Sequence, residues 1–250
     1  MRCFKLTLSY DGTAYGGWQV QPNRNTIQAE LERALQAVTG ERGRTIASGR
    51  TDAGVHALGQ VVSFCSNTQL PAEVLCRALA AHLPRDIVPL EVREAPPGFH
   101  AIRDALGKRY RYVIQDGPRR DVFARAYAWY FPQRLDVAAM QAAAAVLVGT
   151  HDFSSFEASG SERSSSVRTV RELTVQRQAG DFLERIVMEI EADGFLYNMV
   201  RNIVGALVDI GRGKQPVAWL ASVLAARDRR RAAMTAPPQG LFLVRVDYRW

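Results

Sequence analysis

Alternating apolar and polar residues open the chain and predict its first strand. Phe4, Leu6, Leu8 and Tyr10 are separated by polar residues, which is the period-two pattern of a strand with one buried face. Shorter runs of the same kind predict further strands in the first half of the chain, over residues 44–47, 61–65 and 87–92.

A helical spacing of apolar residues follows the first strand. Ile27, Leu31 and Leu35 share one helix face, with Asn25 as the predicted N-cap and Gly40 at the predicted end. A second helix is predicted over residues 71–82. The order of strand, helix, strand, strand, helix, strand is that of a ferredoxin-like α+β unit.

The second half of the chain repeats this rough order without visible repetition of sequence. Strands are predicted over residues 109–114, 172–178, 182–191 and 241–248, and helices over 136–148, 195–211 and 219–226. The polar, serine-rich residues 151–167 indicate a long loop, and the Pro-rich residues 95–98 indicate a boundary. We predict two ferredoxin-like α+β domains, residues 1–105 and 106–250, that share or abut a mostly antiparallel sheet.

The composition adds a marked positive charge to this picture. The 250 residues include 32 Lys and Arg against 25 Asp and Glu, which gives a formal net charge of +7. An excess of that size favours a polyanionic partner. The apolar fraction of 47% is enough for a substantial core.

The cysteines and the start of the chain bear on the compartment. Cys3, Cys65 and Cys76 are odd in number and lack Cys-x-x-Cys spacing, so we expect neither a disulfide framework nor a zinc site. A reducing, cytoplasmic setting fits that expectation. We expect no signal peptide, because residues 1–5 lack a long apolar run. We expect no membrane span, because no apolar run reaches the roughly 18 residues that a span requires.

The stretch Ser48–His56 is the strongest candidate for chemistry. It places Arg50 and Asp52 two residues apart between two glycines, immediately before an apolar strand. Glycines allow tight turns and close approach of a ligand, and a guanidinium this near would keep the carboxylate ionised. The alternative is an ordinary polar turn that is closed by a surface ion pair.

Other common active-site patterns are absent from the sequence. There is no Gly-x-x-x-x-Gly-Lys-Ser/Thr loop, no Gly-x-Gly-x-x-Gly, no Gly-x-Ser-x-Gly, and no metal-ligand spacing among the histidines. A single carboxylate with arginines and aromatics nearby suits work on a nucleoside in RNA. A carboxylate can stabilise or attack a sugar carbon, a ring can hold a flipped base, and arginines can hold phosphates.

Four segments, in order, resemble motifs of the tRNA pseudouridine synthase A family. They read YDGTAYGGWQ at residues 10–19, GRTDAGVH at 49–56, KRYRY at 108–112 and FLYNMVRNIVG at 195–205. The resemblance runs nearly end to end and implies the pseudouridine synthase fold, with the second domain completing the active-site cleft.

The resemblance also implies roles for individual residues. Asp52 would be the catalytic carboxylate, as nucleophile or base, and Arg50 would pair with it and help to displace the target base. Tyr110 would stack on the uracil, although a core aromatic on a strand is the alternative. Arg201 would line the site, although it also fits a helix arginine bonded to carbonyls or a carboxylate. His56 fits a structural role better than an acid–base role.

The implied activity is isomerisation of uridines 38, 39 and 40 in the tRNA anticodon stem-loop. It needs no cofactor or metal, and the family works as a homodimer on tRNA. Two rivals remain open, a catalytically silent RNA-binding module and a hydrolase of free nucleosides. The positive net charge disfavours the hydrolase, because a small neutral substrate does not require a positively charged protein.

The roles of several basic residues stay open at this stage. The family usually has an arginine directly after Phe-His-Ala, whereas this chain has Ile102 and then Arg103. On a strand, a shift of one residue would reverse the face. Clusters at residues 108–111, 119–120 and 227–231 are candidates for phosphate contacts, although Arg227 and Arg229–Arg231 also fit a solvated helix end.

Overall fold

The computed structural model describes residues 1–158, 165–180 and 183–249. The chain forms two compact units. Unit 1 comprises Met1–Leu106 together with the end of the chain from Phe242, and unit 2 comprises Gly107–Leu241.

Unit 1 is built on a sheet with the strand order β4-β1-β3-β10, and β2 pairs with β3. Neighbouring strands are antiparallel, except that β10 runs parallel to β3. The strands are β1 (Arg2–Tyr10), β2 (Ile46–Ala47), β3 (His56–Ser66), β4 (Ile87–Glu94) and β10 (Leu241–Asp247). The helices are α1 (Ile27–Thr39) and α2 (Ala72–His82).

The start of α1 differs by one residue from the prediction. The Thr26 side chain, rather than that of Asn25, accepts a hydrogen bond from the Ala29 N–H, at 3.4 Å. A hydroxyl at this position satisfies one of the backbone donors that a helix start leaves unpaired. The helix ends before Gly40, as predicted.

Unit 2 is built on a sheet with the strand order β5-β9-β8-β7, and the short β6 runs parallel to β5. The strands are β5 (Gly107–Asp116), β6 (Trp129–Phe131), β7 (Gly149–Asp152), β8 (Val167–Gln178) and β9 (Arg185–Ala192). The helices are α3 (Val137–Ala144), α4 (Met199–Gly211) and α5 (Trp219–Ala226). Both units are therefore α+β with mostly antiparallel strands, which confirms the predicted fold class.

Helix α4 supplies much of the core of unit 2. All of its residues except Arg201 are buried. No helix in the described part of the chain is long and apolar enough to cross a membrane.

Part of the predicted loop 151–167 is regular. β7 and a short 3-10 helix over Ser154–Phe156 occupy its start. Residues 159–164 of that predicted loop, and Phe182 of the predicted strand 182–191, lie outside the described residues.

The end of the chain corrects the predicted domain division. Residues 242–250 were expected in the second domain but belong to unit 1, because Phe242 and Leu243 pair in parallel with His56 and Ala57. The strand itself is where the apolar pattern predicts it. Its partner is nearly 200 residues away in sequence, and periodicity carries no information about pairing at that distance.

The cysteines correct a second expectation. Cys3 and Cys65 form a disulfide, which the sequence analysis did not expect. The antiparallel register of β1 and β3 sets these two residues directly opposite each other, with their Cα atoms 4.0 Å apart. Cysteine count and spacing could not reveal this, because the pairing depends on strand register.

Candidate active site

The Asp52 loop connects β2 to β3 in unit 1. Asp52 is half-buried and begins a tight turn in which the Val55 N–H donates to the Asp52 carbonyl oxygen at 3.1 Å. Thr51 and Val55, on either side, are buried. The carboxylate therefore projects from a loop whose flanking residues are fixed in the unit.

The segment after β1 packs its backbone directly against this loop. The Trp18 N–H donates to Thr51 O at 2.9 Å, and a Cβ on Gly17 would lie 2.7 Å from the same oxygen. A Cβ on Gly12 would lie 2.0 Å from Val55 O. Only glycine permits so close an approach of two backbones. The first motif thus supports the loop, which the sequence analysis did not predict.

Buried polar side chains hold the loop from the other direction. The Tyr10 hydroxyl lies 2.8 Å from Thr51 Oγ1. Gln60 donates from Nε2 to Gly49 O at 2.8 Å and accepts from the Ser48 hydroxyl at 2.7 Å. Burial raises the pKa of Tyr10 to about 12, so its hydroxyl stays neutral and able to hydrogen-bond at neutral pH. A carboxylate on such a support is preorganised for chemistry.

The sequence analysis expected Arg50 to pair with Asp52, and that pairing stays a prediction. The Arg50 side chain is exposed, whereas that of Asp52 is half-buried. Between them, Thr51 is buried and turned towards Tyr10, so the two charged side chains leave the backbone in different surroundings. Backbone and buried polar contacts of its neighbours therefore hold the loop that carries Asp52.

His56 belongs to the packing of unit 1. Its ring is buried and stacks on Phe242 with centroids 4.7 Å apart. The Gly12 N–H donates to Nδ1 of His56 at 3.1 Å, and a carboxylate oxygen of Asp11 lies 3.1 Å from the same nitrogen. These contacts fit the structural role that the sequence analysis favoured.

Tyr110 lies on β5 in unit 2, opposite Ile190 of β9. Its ring packs edge-on against Phe195, with centroids 4.9 Å apart, and 8% of the residue remains exposed. Tyr112, on the same face, is fully buried, and its hydroxyl donates to Pro237 O at 2.7 Å. Both tyrosines are thus buried, which fits the core-aromatic alternative for Tyr110, and its stacking role stays a proposal.

Arg201 lies in the first turn of α4. Its Nε donates to Ala236 O at 2.7 Å, and a terminal nitrogen donates to Asn198 Oδ1 at 3.0 Å. Asn198 begins the helix in a left-handed conformation, at φ 59°. These contacts match the alternative of a helix arginine bonded to carbonyls and leave a functional role as a proposal.

The arginines around Tyr110 are neutralised within unit 2. Arg109 forms ion pairs with Glu189 and Glu191 on the neighbouring β9 and with Glu172 on β8, and Arg111 forms one with Glu189. Hydrogen bonding, to Glu191 above all, raises the pKa of Arg109. This cluster is therefore a poor candidate for phosphate contacts.

The arginines after α5 are also engaged. Arg229 is half-buried and donates to Asn202 Oδ1 at 3.0 Å, Thr235 Oγ1 at 3.1 Å and a backbone carbonyl. Arg230 pairs with Asp228 at 2.9 Å. Arg229 is thus part of the packing against α4, and neither the solvated-end interpretation nor the phosphate interpretation describes it.

The segment around Arg103 is a turn. The Asp104 N–H donates to His100 O at 3.1 Å, and residues 101–104 form no strand. The argument that a one-residue shift reverses the face of a strand therefore does not apply here. Arg103 is exposed, and its guanidinium approaches Gly98 O at 3.4 Å.

Comparison with known proteins identifies the class to which this fold and this loop belong. A family model described as tRNA pseudouridine synthase matches residues 7–102 and 143–249, which include Asp52 and Arg201 but not Tyr110. The chain belongs to the tRNA pseudouridine synthase family.

Curated relatives extend the match over the whole chain. The chain is 46% identical over 248 residues to a protein of Thermoanaerobacter sp. (strain X514), and covers all of it. It is 49% identical over 250 residues to a protein of Moorella thermoacetica, again over its full length. It is 45% identical to a protein of Myxococcus xanthus, covering 91% of it. Each of these relatives carries the name tRNA pseudouridine synthase A.

Proposed function

We propose that this protein isomerises uridine to pseudouridine in tRNA, at positions 38, 39 and 40 of the anticodon stem-loop. The observation that carries the proposal is the fixed loop of unit 1, which presents the carboxylate of Asp52. The shared family and the names of the full-length relatives support the same activity.

The reaction requires one well-placed carboxylate and no outside reagent. The N1–C1′ bond of uridine breaks, the base turns, and a bond forms between C5 and C1′. The C5 proton is lost and N1 gains one, so mass and oxidation state are unchanged. Bond breaking builds positive charge at C1′, which a carboxylate can stabilise or attack. No cofactor or metal is therefore part of the proposal.

Asp52 is the proposed catalytic carboxylate. Either it attacks C1′ and forms an ester that the rotated base later displaces, or it removes the 2′ proton. Both routes regenerate the carboxylate at the end of the cycle. The hydrogen bonds of Thr51, Ser48 and Gln60 fix the loop before substrate arrives, so little reorganisation is needed during reaction.

Tyr110 is the proposed stacking partner of the uracil. Phe195 holds its ring edge-on, and its hydroxyl is proposed to help the C5 proton leave. Arg50 is exposed and is proposed to help displace the target base. Arg201 is proposed to contact substrate while bonded to Ala236 and Asn198.

The wider setting follows from the same proposal. We propose that the protein acts as a homodimer in the cytoplasm with tRNA as its partner. The tRNA substrate carries the proposal of the cytoplasm, because the Cys3–Cys65 disulfide removes the cysteine argument for a reducing compartment. The net charge of +7 suits a polyanionic substrate.

The test uses unmodified tRNA that carries tritium at C5 of its uridines. The proposal expects tritium release without free uracil, and no change in the mass of unlabelled tRNA treated in parallel, because C5 loses a hydrogen, N1 gains one and the base is retained. Uracil released from added free uridine, with the tRNA unchanged, would instead identify a nucleoside hydrolase. Binding of tRNA without tritium release would identify a silent RNA-binding module. A chemical map of the product then locates the pseudouridines, and sites other than 38–40 would contradict the proposed positions.

A further inference from the structure

A surface loop in unit 2 combines exposed apolar side chains with exposed arginines. The loop comprises residues 117–128 and connects β5 to β6. Phe123 is 72% exposed, Val122 58% and Tyr127 43%. The exposed cations of the same loop are Arg119, Arg120 and Arg125.

Two buried polar side chains hold this loop in place. Gln115 donates from Nε2 to Arg119 O at 2.5 Å and accepts from the Asp121 N–H at 3.0 Å. The Asp121 carboxylate accepts from the backbone N–H groups of Phe123 at 2.9 Å and Ala124 at 3.3 Å. The apolar side chains are therefore exposed from an anchored backbone, and large exposed apolar groups of this kind mark interaction surfaces.

The loop arginines differ from the arginines on the strands of unit 2. They have no carboxylate partner in the part of the chain that the structure describes. Arg120 instead lies over the ring of Tyr130, at 4.6 Å, and Arg125 donates to Val122 O at 2.8 Å. The strand arginines that do pair with carboxylates include Arg109, Arg111, Arg177 and Arg185. The loop thus carries positive charge that no carboxylate among the described residues pairs with.

A depression of about 180 Å³ adjoins the loop. Arg120, Arg125, Trp129 and Tyr130 contribute to its walls. Guanidinium groups beside aromatic rings are the combination that holds the phosphate and the base of an unpaired nucleotide.

We propose that residues 117–130 form an RNA-binding surface on which the arginines neutralise phosphates and Phe123 stacks on an unpaired base. This rests on the proposed function, because the ligand is its tRNA substrate, but it assigns residues outside the proposed catalytic set. RNA is favoured over a second copy of this chain, because a two-fold contact through this loop would bring like charges together, and the one carboxylate of the loop, Asp121, is buried.

The test is a titration of unmodified tRNA at several salt concentrations. R119Q/R120Q removes two loop charges, and R77Q/R85Q removes two exposed charges from unit 1 as a matched control. If each loop arginine neutralises one phosphate, the negative slope of log affinity against log salt becomes shallower by roughly 1.5 in the loop variant. The control variant keeps the wild-type slope. Phe123→Ala should weaken binding roughly 5- to 150-fold without changing the slope.

Turnover of saturating tRNA separates this inference from the proposed function. A wild-type protein that forms no pseudouridine refutes the function. A wild-type protein that forms it, while the folded loop variants bind tRNA with wild-type affinity and slope, overturns the loop surface. Loop variants that change the oligomeric state in sedimentation and leave tRNA affinity unchanged assign the loop to a second copy, which also overturns the RNA proposal.

Discussion

Replacing Gly12 with alanine tests whether the first motif positions Asp52. A Cβ at Gly12 would lie 2.0 Å from Val55 O and 2.7 Å from the Val55 carbonyl carbon. Both contacts of the added Cβ are with backbone atoms of Val55, so no flexible side chain can move aside. One segment must shift by roughly 1 Å, and such overpacking costs about 1–3 kcal/mol of stability.

The shift should reach the carboxylate. The Val55 N–H donates to Asp52 O at 3.1 Å, so movement of Val55 changes the turn that carries Asp52. Misplacement of a reacting group by about 1 Å can cost about 100-fold in rate. We expect the kcat of Gly12→Ala to fall about 100-fold, with a fall in Tm of about 2–4 °C for each kcal/mol lost.

Gly43→Ala is the matched control in the same unit. The nearest atom to a Cβ there is Cys65 O, at 3.8 Å, so a methyl group fits without movement. Its stability should change by less than about 0.5 kcal/mol, and its kcat should not change. The measurements are tritium release at saturating tRNA and thermal unfolding. A folded Gly12→Ala protein with wild-type kcat would refute the argument that this close approach positions Asp52.

Asp52→Asn should abolish pseudouridine formation while tRNA affinity changes less than about tenfold, because phosphate contacts carry most of the affinity; measurable turnover would remove Asp52 from the mechanism. Tyr110→Phe should keep binding and lose most turnover, whereas Tyr110→Leu should also weaken base capture by about 1–3 kcal/mol; near-wild-type kinetics for both would make Tyr110 a core residue only. Arg229→Gln should lower stability by about 1 kcal/mol in urea unfolding, because the bonds to buried Asn202 are lost. Arg230→Gln, which removes an exposed pair, should leave the unfolding midpoint unchanged, and equal effects of the two would contradict the assignment of Arg229 to the packing.

Local patterns along the chain were enough to predict the type and order of most elements. The alternation from Phe4 to Tyr10 and the helical spacing from Ile27 correspond to β1 and α1, and Gly40 marks the end of the helix as predicted. Period and end signals are local properties of the chain, so a few neighbouring residues are enough to reveal them. The glycines around Asp52 likewise pointed to a carboxylate on a turn.

Tertiary structure decided which segments pair. β6 has three residues and is defined by its pairing with β5, so no pattern of its own predicts it. The return of the chain end to β3 and the Cys3–Cys65 disulfide depend on strand neighbours and register. These properties arise between residues far apart in sequence, where periodicity carries no signal.

The candidate site also has parts that the sequence identified and parts that only the fold revealed. The motif identified Asp52, but the supports of its loop come from Gly12 and Gly17 before it in the chain and from Gln60 on the strand after it. Charge is the clearest case, because a formal net charge of +7 does not say which arginines are free to meet a phosphate. Packing places three glutamates around Arg109 and none around Arg120 within the described residues. Only the fold decides this, because a carboxylate neutralises an arginine through proximity in space rather than in sequence.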